Sequence, residues 1–341
     1  VSETDVTASA AFGPQALVID AAVETERIVT ALRRQVGGVL HKRGLVLGLS
    51  GGIDSSVSAA LAALAVGAEN VLCLLMPESE SDPDSLRLGR TVAETFGLEA
   101  IVEDIGPALE ALGCYRRRAE AIRAVLPAYG PGWKSKLAIA DARTSVGYAL
   151  TDLVARDPEG HEHRLRLPPR VYLAIVAATN MKQRTRKQIE YHHADRLNRA
   201  VLGTPNRLEY DQGFFVRNGD GAADVKPIAH LYKSQVYQLA AHLGVPEEVR
   251  RRPPTTDTFS LPQTQEEFYF SLPWDLMDLS LWGLDHGIAV AEVARASGLE
   301  IAVAERIRAD IRSKRRATRA LHLPPLLIEP VGDLADPVPP G

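Results

Sequence analysis

The sequence predicts an α/β protein, a doubly wound parallel sheet with helices on both faces, and three observations carry that prediction. Short, largely apolar runs recur at GLVLGL (44–49), NVLCLLMP (70–77) and EAIVEDI (99–105). Stretches of helical spacing, 54–66 and 84–97, separate them. Pro77 and Gly97 supply the breaks between the elements. A strand apolar on both faces is buried on both, which suits parallel strands under crossover helices better than a half-solvated antiparallel sheet.

The elements follow in chain order. Residues 1–17 read as a flexible N-terminal tail. Residues 18–40 carry apolar positions at helical spacing and close near Gly37 and Gly38. After the third strand the pattern breaks over 113–170. That segment holds a basic knot (YRRRAEAIR), a Pro/Gly turn (PAYGPGW), a helical pattern over 136–155 and a polar hairpin-like piece at 156–170. The expectation is a mainly helical insertion. The α/β pattern then resumes with a helix through 181–199, the strand AVLGT (200–204), a Gly-rich loop at 217–228 and a helix over 233–244. Residues 273–320 read as a helical C-terminal part, and 331–341 as a Pro-rich tail. The expected organisation is one domain over 18–330 with that single insertion.

Composition narrows the class. A net charge of -4 argues against a generally basic nucleic-acid binder. The two cysteines, Cys73 and Cys114, form no CxxC pair and make neither a disulfide framework nor a zinc site. No basic-then-apolar leader opens the chain, and no run approaches the ~18 apolar residues that span a bilayer. The expectation is a cytoplasmic protein with no membrane and no nucleic-acid partner.

The chemistry concentrates in SGGIDSS, residues 50–56, between the first strand and its helix. Unpaired N–H groups at a strand-to-helix turn, together with the helix dipole, form an anion site. Glycine at 51 and 52 lets an oxyanion approach the backbone, and Ser50, Ser55 and Ser56 add hydroxyl donors. The spacing is not the GxxxxGK[ST] phosphate loop. Asp54 would repel a polyphosphate unless a cation came between them, and Mg²⁺ bridging carboxylate and phosphate is the natural resolution. The plain alternative is that Asp54 caps the helix and the glycines only turn.

SGGIDSS after an apolar strand resembles the pyrophosphate loop, SGGxDS, of the N-type ATP pyrophosphatases, whose fold is adenine nucleotide alpha hydrolase-like. Residues 182–233 look like the core of one member, the NAD synthetase family of the ammonia-dependent type. The matching positions are Arg184 and Arg186, Gly203-Thr204 to Glu209, Gly213-Phe214-Phe215, Gly219-Asp220-Gly221, Asp224, Pro227 and Lys233. PTTD (254–257) and the acidic stretch 263–278 are similar to later family motifs, so the resemblance spans roughly two thirds of the chain.

The resemblance implies an enzyme, a C–N ligase. It implies that Ser50, Gly51, Gly52, Asp54, Ser55, Ser56, Thr204, Lys233 and Thr255 bind ATP, with Lys233 and Asp54 catalytic. Asp54 and Glu209 would hold Mg²⁺, and Arg184, Arg217 and Asp224 would contact deamido-NAD. A lysine opening a helix is unfavourable unless an anion compensates, which agrees with Lys233 meeting phosphate. The implied reaction adenylates the nicotinate carboxylate of deamido-NAD and aminates it with ammonia, giving NAD, AMP and pyrophosphate. With no room for an amidase domain, nitrogen would come from free ammonia or a separate ammonia-supplying protein; a homodimer is implied by analogy.

Departures gather on the acceptor side. They are the insertion, the absence of a clean HK pair near Lys314 and His322, Arg217 where the family has Lys, and Lys226 before Pro227. Two other readings therefore stand beside the first: a related ligase for a different carboxylate, and a non-catalytic ATP-binding sensor.

Overall fold

The protein is described by a computed structural model over residues 12–143, 151–256, 258–329 and 331. Helix α1 (Ala21–Arg33) starts where the Asp20 carboxylate accepts the Ala22 and Val23 N–H groups, and it widens into a π turn at Arg34–Val39. Then come β1 (Leu45–Gly48), α2 (Ile53–Val66), β2 (Val71–Leu75), α3 (Pro83–Thr95) and β3 (Glu99–Val102). Helices α4 (Gly106–Ala111) and α5 (Cys114–Arg123) lead to β4 (Lys134–Ala138), β5 (Asp152–Arg156) and β6 (Glu162–Arg166). The long α6 (Pro169–Leu197) returns the chain to β7 (Ala200–Val201). The remainder is helical: α7 (Arg207–Gln212), α8 (Lys233–His242), α9 (Glu247–Arg251), α10 (Trp274–Asp285), α11 (Val290–Ser297) and α12 (Ile301–Thr318).

The main sheet has the order β3-β2-β1-β7, and every pairing is parallel. Alternate β1 residues serve opposite faces. Leu45 and Leu47 pack with residues of α1, α2 and α8, whereas Val46 joins Leu72, Leu74 and Ala194 of α6. This two-sided burial is why the strands read as unbroken apolar runs. The chain steps outward from β1 to β2 to β3, then returns to the far side of β1 as β7. Connections diverge at that switch point and leave a crevice beyond the carboxyl ends of β1 and β7.

Two expectations are corrected. The stretch 136–155, expected to be helical, instead contributes β4 and β5 to an antiparallel sheet of order β4-β5-β6, so the insertion is not mainly helical. Both faces are covered at the sheet's centre, where Ala138 and Val154 pack with Leu261. Leu137, Leu153 and Ala155 pack with Ile122, Tyr129 and Ile175, while Lys134 and Arg156 face out. Alanine-rich spacing, which suits a helix equally, concealed these strands. Residues 144–150 lie outside the described residues. The expected tail over 1–17 is also shorter than read, because Phe12 stacks on Trp282 with ring centroids 5.3 Å apart and Leu17 is buried. Residues 1–11, and 332–341 of the expected C-terminal tail, lie outside the described residues. Among the described residues no helix is long and apolar enough to cross a membrane.

Candidate active site

The crevice opens into a cleft of about 730 Å³. One wall is the 50–55 loop. Gly52 starts α2 without a side-chain cap, so the first-turn N–H groups are left for a ligand. The loop is held from within: the Ser50 and Ser55 hydroxyls lie 3.2 Å apart, the Gly52 N–H donates to Ser50 Oγ (3.3 Å), and Ser55 Oγ donates to the Gly52 carbonyl (3.0 Å). Ser50, Gly52, Asp54 and Ser55 line the cleft. Ser56 is fully buried and donates to the same carbonyl (2.8 Å), so it stitches the first helical turn rather than facing the cleft.

Gly51 also turns away from the cleft, and its reason is packing. Its φ is +71°, and a Cβ there would lie 2.7 Å from Leu88 Cβ and 2.9 Å from the Ser85 carbonyl. Helix α3 therefore rests directly on the loop. Gly51→Ala is expected to lower stability by about 1–3 kcal/mol, since it combines overpacking with strain at positive φ. It should also weaken ATP binding, both read by thermal melts with and without ATP.

Two carboxylates and a lysine meet across the switch point. Asp54, in the first turn of α2, pairs with Lys233 Nζ, the first residue of α8. Its other oxygen accepts from Asn206 Nδ2 (3.1 Å). Asn206 caps α7 in a reciprocal box with Glu209: Asn206 N–H donates to Glu209 Oε2 (3.0 Å), and Glu209 N–H to Asn206 Oδ1 (3.3 Å). Gln265 Nε2 donates to Glu209 Oε1 (2.8 Å). Burial, then the neighbouring Asp54 charge, pushes the Glu209 carboxyl up to about 8, outweighing the pull of Lys233. Lys233 is itself 1% exposed, yet the charges of Asp54 and Glu209 hold its pKa above the ordinary value against the effect of burial.

This oxygen set suits a hard divalent cation. Among the described residues no three His, Cys, Asp or Glu side chains gather to hold a metal alone. Two carboxylates with the rest of the shell from water and phosphate is the arrangement Mg²⁺ favours. The raised Glu209 pKa marks a place where added positive charge would be stabilising.

Thr204, just past β7, and Thr255 also line the cleft. Arg184, Arg217 and Asp224 do not. Arg184 Nε donates to the Arg217 carbonyl (3.2 Å), and Arg217 reaches the Ala320 carbonyl (3.4 Å). Asp224 accepts the Val201 N–H (2.7 Å) and the Tyr191 hydroxyl (3.4 Å). The structure thus gathers at one cleft the residues expected to meet ATP and metal, Gly51 and Ser56 excepted, and leaves Arg184, Arg217 and Asp224 outside its lining. Lys314 is held by Asp310 (2.6 Å) and the Tyr269 carbonyl (2.7 Å), while the His322 ring packs edge-on against Tyr210.

The cleft holds further charged groups that sequence reasoning left without a role. Lys187 pairs with Glu190 (2.6 Å), and burial raises the carboxyls of Glu190 and Asp220. Asn206 was findable, because N-x-x-E just after a strand is a capping-box signature. Gln265 had no comparable signal.

A family model described as NAD synthase matches residues 24–124 and 168–319. The chain is 69% identical over 323 residues to the NH(3)-dependent NAD(+) synthetase of Rhizobium meliloti (strain 1021), covering 95% of this chain and 96% of that one. It is 32% identical over 262 residues to the NH(3)-dependent NAD(+) synthetase of Thermotoga neapolitana, covering 76% of this chain and 83% of that one. Among solved structures, an NH3-dependent NAD synthetase from Campylobacter jejuni aligns over 91% of this chain and all of its own, at a TM-score of 0.60 and 22% identity, and shows the same fold.

Proposed function

This chain belongs to the NAD synthase family, and from that premise we propose how its cleft carries out the family's reaction. The protein is an ATP-dependent amide ligase. A carboxylate oxygen of deamido-NAD attacks the α-phosphorus, the bond to the β-phosphate breaks and pyrophosphate leaves. Ammonia then attacks the acyl carbon of the adenylate, and AMP leaves as NAD forms.

The observation that carries the site assignment is the meeting of Asp54, Lys233 and Glu209 beside the uncapped start of α2. The pyrophosphate end of ATP lies on the first-turn N–H groups, with Ser50 and Ser55 as donors and Gly51 and Ser56 holding the loop's shape. Lys233 faces phosphate oxygens, and Thr204 and Thr255 border the adenylate portion. Mg²⁺ on Asp54 and Glu209 would neutralise phosphate charge. No side-chain nucleophile is needed, since positioning and charge stabilisation supply the rate. Arg184, Arg217 and Asp224 form the acceptor-facing surface, which a homodimer would bring against a second copy. Nitrogen arrives as free ammonia or from a separate supplier, and the compartment is the cytoplasm.

The test is pyrophosphate release from ATP and Mg²⁺ with deamido-NAD and ammonium, with NAD followed by mass spectrometry. NAD formation in step with pyrophosphate is expected. ATP binding with no pyrophosphate under these conditions would overturn the assignment in favour of a sensor. Turnover only with another carboxylate would move the acceptor.

A further inference from the structure

One wall of the cleft is a strap folded back on itself. Thr255 and Thr264 bridge antiparallel, the Thr256 N–H donates to the Gln263 carbonyl (3.3 Å), and the Gln265 N–H to the Pro254 carbonyl (3.3 Å). Its inner side presents Thr255, Thr256, Thr258 and Gln265 to the cleft. Gln265 is also the residue that holds Glu209.

The outer side lies along the free edge of β4. Ser135 N–H donates to Ser260 Oγ (2.9 Å), Leu261 N–H to the Ser135 carbonyl (3.2 Å), and Ile139 N–H to the Glu267 carbonyl (2.8 Å). Gln263, 4% exposed, spans both layers: its Nε2 donates to the Leu137 carbonyl, and its Oε1 accepts the Thr256 hydroxyl (3.0 Å). A second anchor is Lys182 of α6. It is fully buried, and its Nζ donates to the Thr258 carbonyl (2.9 Å), Glu78 (2.7 Å) and Glu80 (2.6 Å). The β4-β5-β6 sheet, residues 134–166, falls inside the gap that interrupts the family match between 124 and 168. The sheet therefore lies outside the part of the chain that the family model matches, and one of its edges holds the strap.

We propose that the inserted sheet is a positioning device: its β4 edge pins the strap over the nucleotide cleft before nucleotide arrives, with Gln263 as the positioning residue. The inference rests on ATP occupying this cleft. The strap's ordering entropy is then met when the chain folds, and ATP enters a wall already in place. Gln263 touches no substrate; it acts through Gln265 and Thr255.

Hydrogen exchange read by mass spectrometry on the full chain tests this, free and with Mg²⁺ and α,β-methylene-ATP. In the wild type the peptide spanning 258–271 is expected to exchange at least about tenfold more slowly than an unstructured peptide even without nucleotide. In Gln263→Ala, and in the milder Ser260→Ala, that protection should fall in the free protein and return when the analogue binds. The analogue's Kd and the KM for ATP should rise about tenfold in Gln263→Ala, about 1.4 kcal/mol. kcat should stay within about twofold, because saturating nucleotide reorders the strap. Free exchange in the unliganded wild type would overturn the proposal. So would a loosened strap in Gln263→Ala with unchanged analogue affinity. Exchange and analogue binding need no turnover, so they report on the strap even if the acceptor assignment fails.

Discussion

Glu209→Gln is expected to lower pyrophosphate release at least about 100-fold while leaving the free protein as stable as wild type, or more so, at pH 8. The two halves of this result share one cause. Burial and the Asp54 charge push the Glu209 carboxyl from 4.5 up to about 8. The folded protein therefore holds a proton between those values that the unfolded chain has released. Stability falls as pH rises through that window, because the folded state binds more protons than the unfolded one. A glutamine carries no charge and escapes this cost. It can still accept the Asn206 N–H, and Gln265 can turn its amide to suit. The melting advantage of Glu209→Gln over wild type should thus grow between pH 5 and pH 8. A neutral amide would not supply the anionic ligand proposed for Mg²⁺, so activity should fall. Melts at the two pH values and pyrophosphate release at saturating Mg²⁺ read both halves. Unchanged turnover would remove Glu209 from the metal site, and a melting temperature below wild type at pH 8 would remove the electrostatic account.

Local pattern made the scaffold legible and left the partnerships hidden. β1, α2, β2 and α3 were readable because short apolar runs alternate with stretches of helical length, and turn residues bound them. SGGIDSS was readable because its residue types are unusual together. The pairing of Asp54 with Lys233 was not, since 179 residues separate them and only the return of the chain to β7 closes the gap. Gly51 looked like a phosphate-approach glycine, but Leu88 and Ser85 of α3, invisible at that distance in sequence, are what it accommodates. The inserted sheet was misread because alanines at 138, 140, 142 and 155 suit a helix as well as a strand. Tertiary pairing along Leu137 and Leu153 decided between them. Arg184, Arg217 and Asp224 came from resemblance alone, and no spacing in the chain says which face they occupy.

Lys233→Met should destabilise the metal-free protein by about 3–5 kcal/mol at pH 8, by leaving buried charge without its partner. Methionine is close in length, so most of the packing is retained and the loss is electrostatic. Lys233 opens α8, where the helix dipole disfavours a cation. Asp278 offsets this by accepting the Lys233 N–H (3.2 Å) and Ser234 N–H (2.7 Å). Asp54 and Glu209 supply the remaining compensation from the other side of the crevice. Without the ammonium, those two carboxylates face each other with no cation between them. As pH nears 8 the wild type begins to release the Glu209 proton, whereas Lys233→Met, without the ammonium that draws that carboxyl down, retains it, so the penalty should be larger at pH 8 than at pH 6. Mg²⁺ should then raise the melting temperature of Lys233→Met more than that of the wild type, because it meets a more negative site. Turnover should still fall by at least about 100-fold, since the charge proposed to face phosphate would be gone. Melts in EDTA and in Mg²⁺ at both pH values distinguish the cases. A loss equal at pH 6 and pH 8 and indifferent to Mg²⁺ would mean that Lys233 is a packing residue, and that the two carboxylates do not form one charge cluster with it.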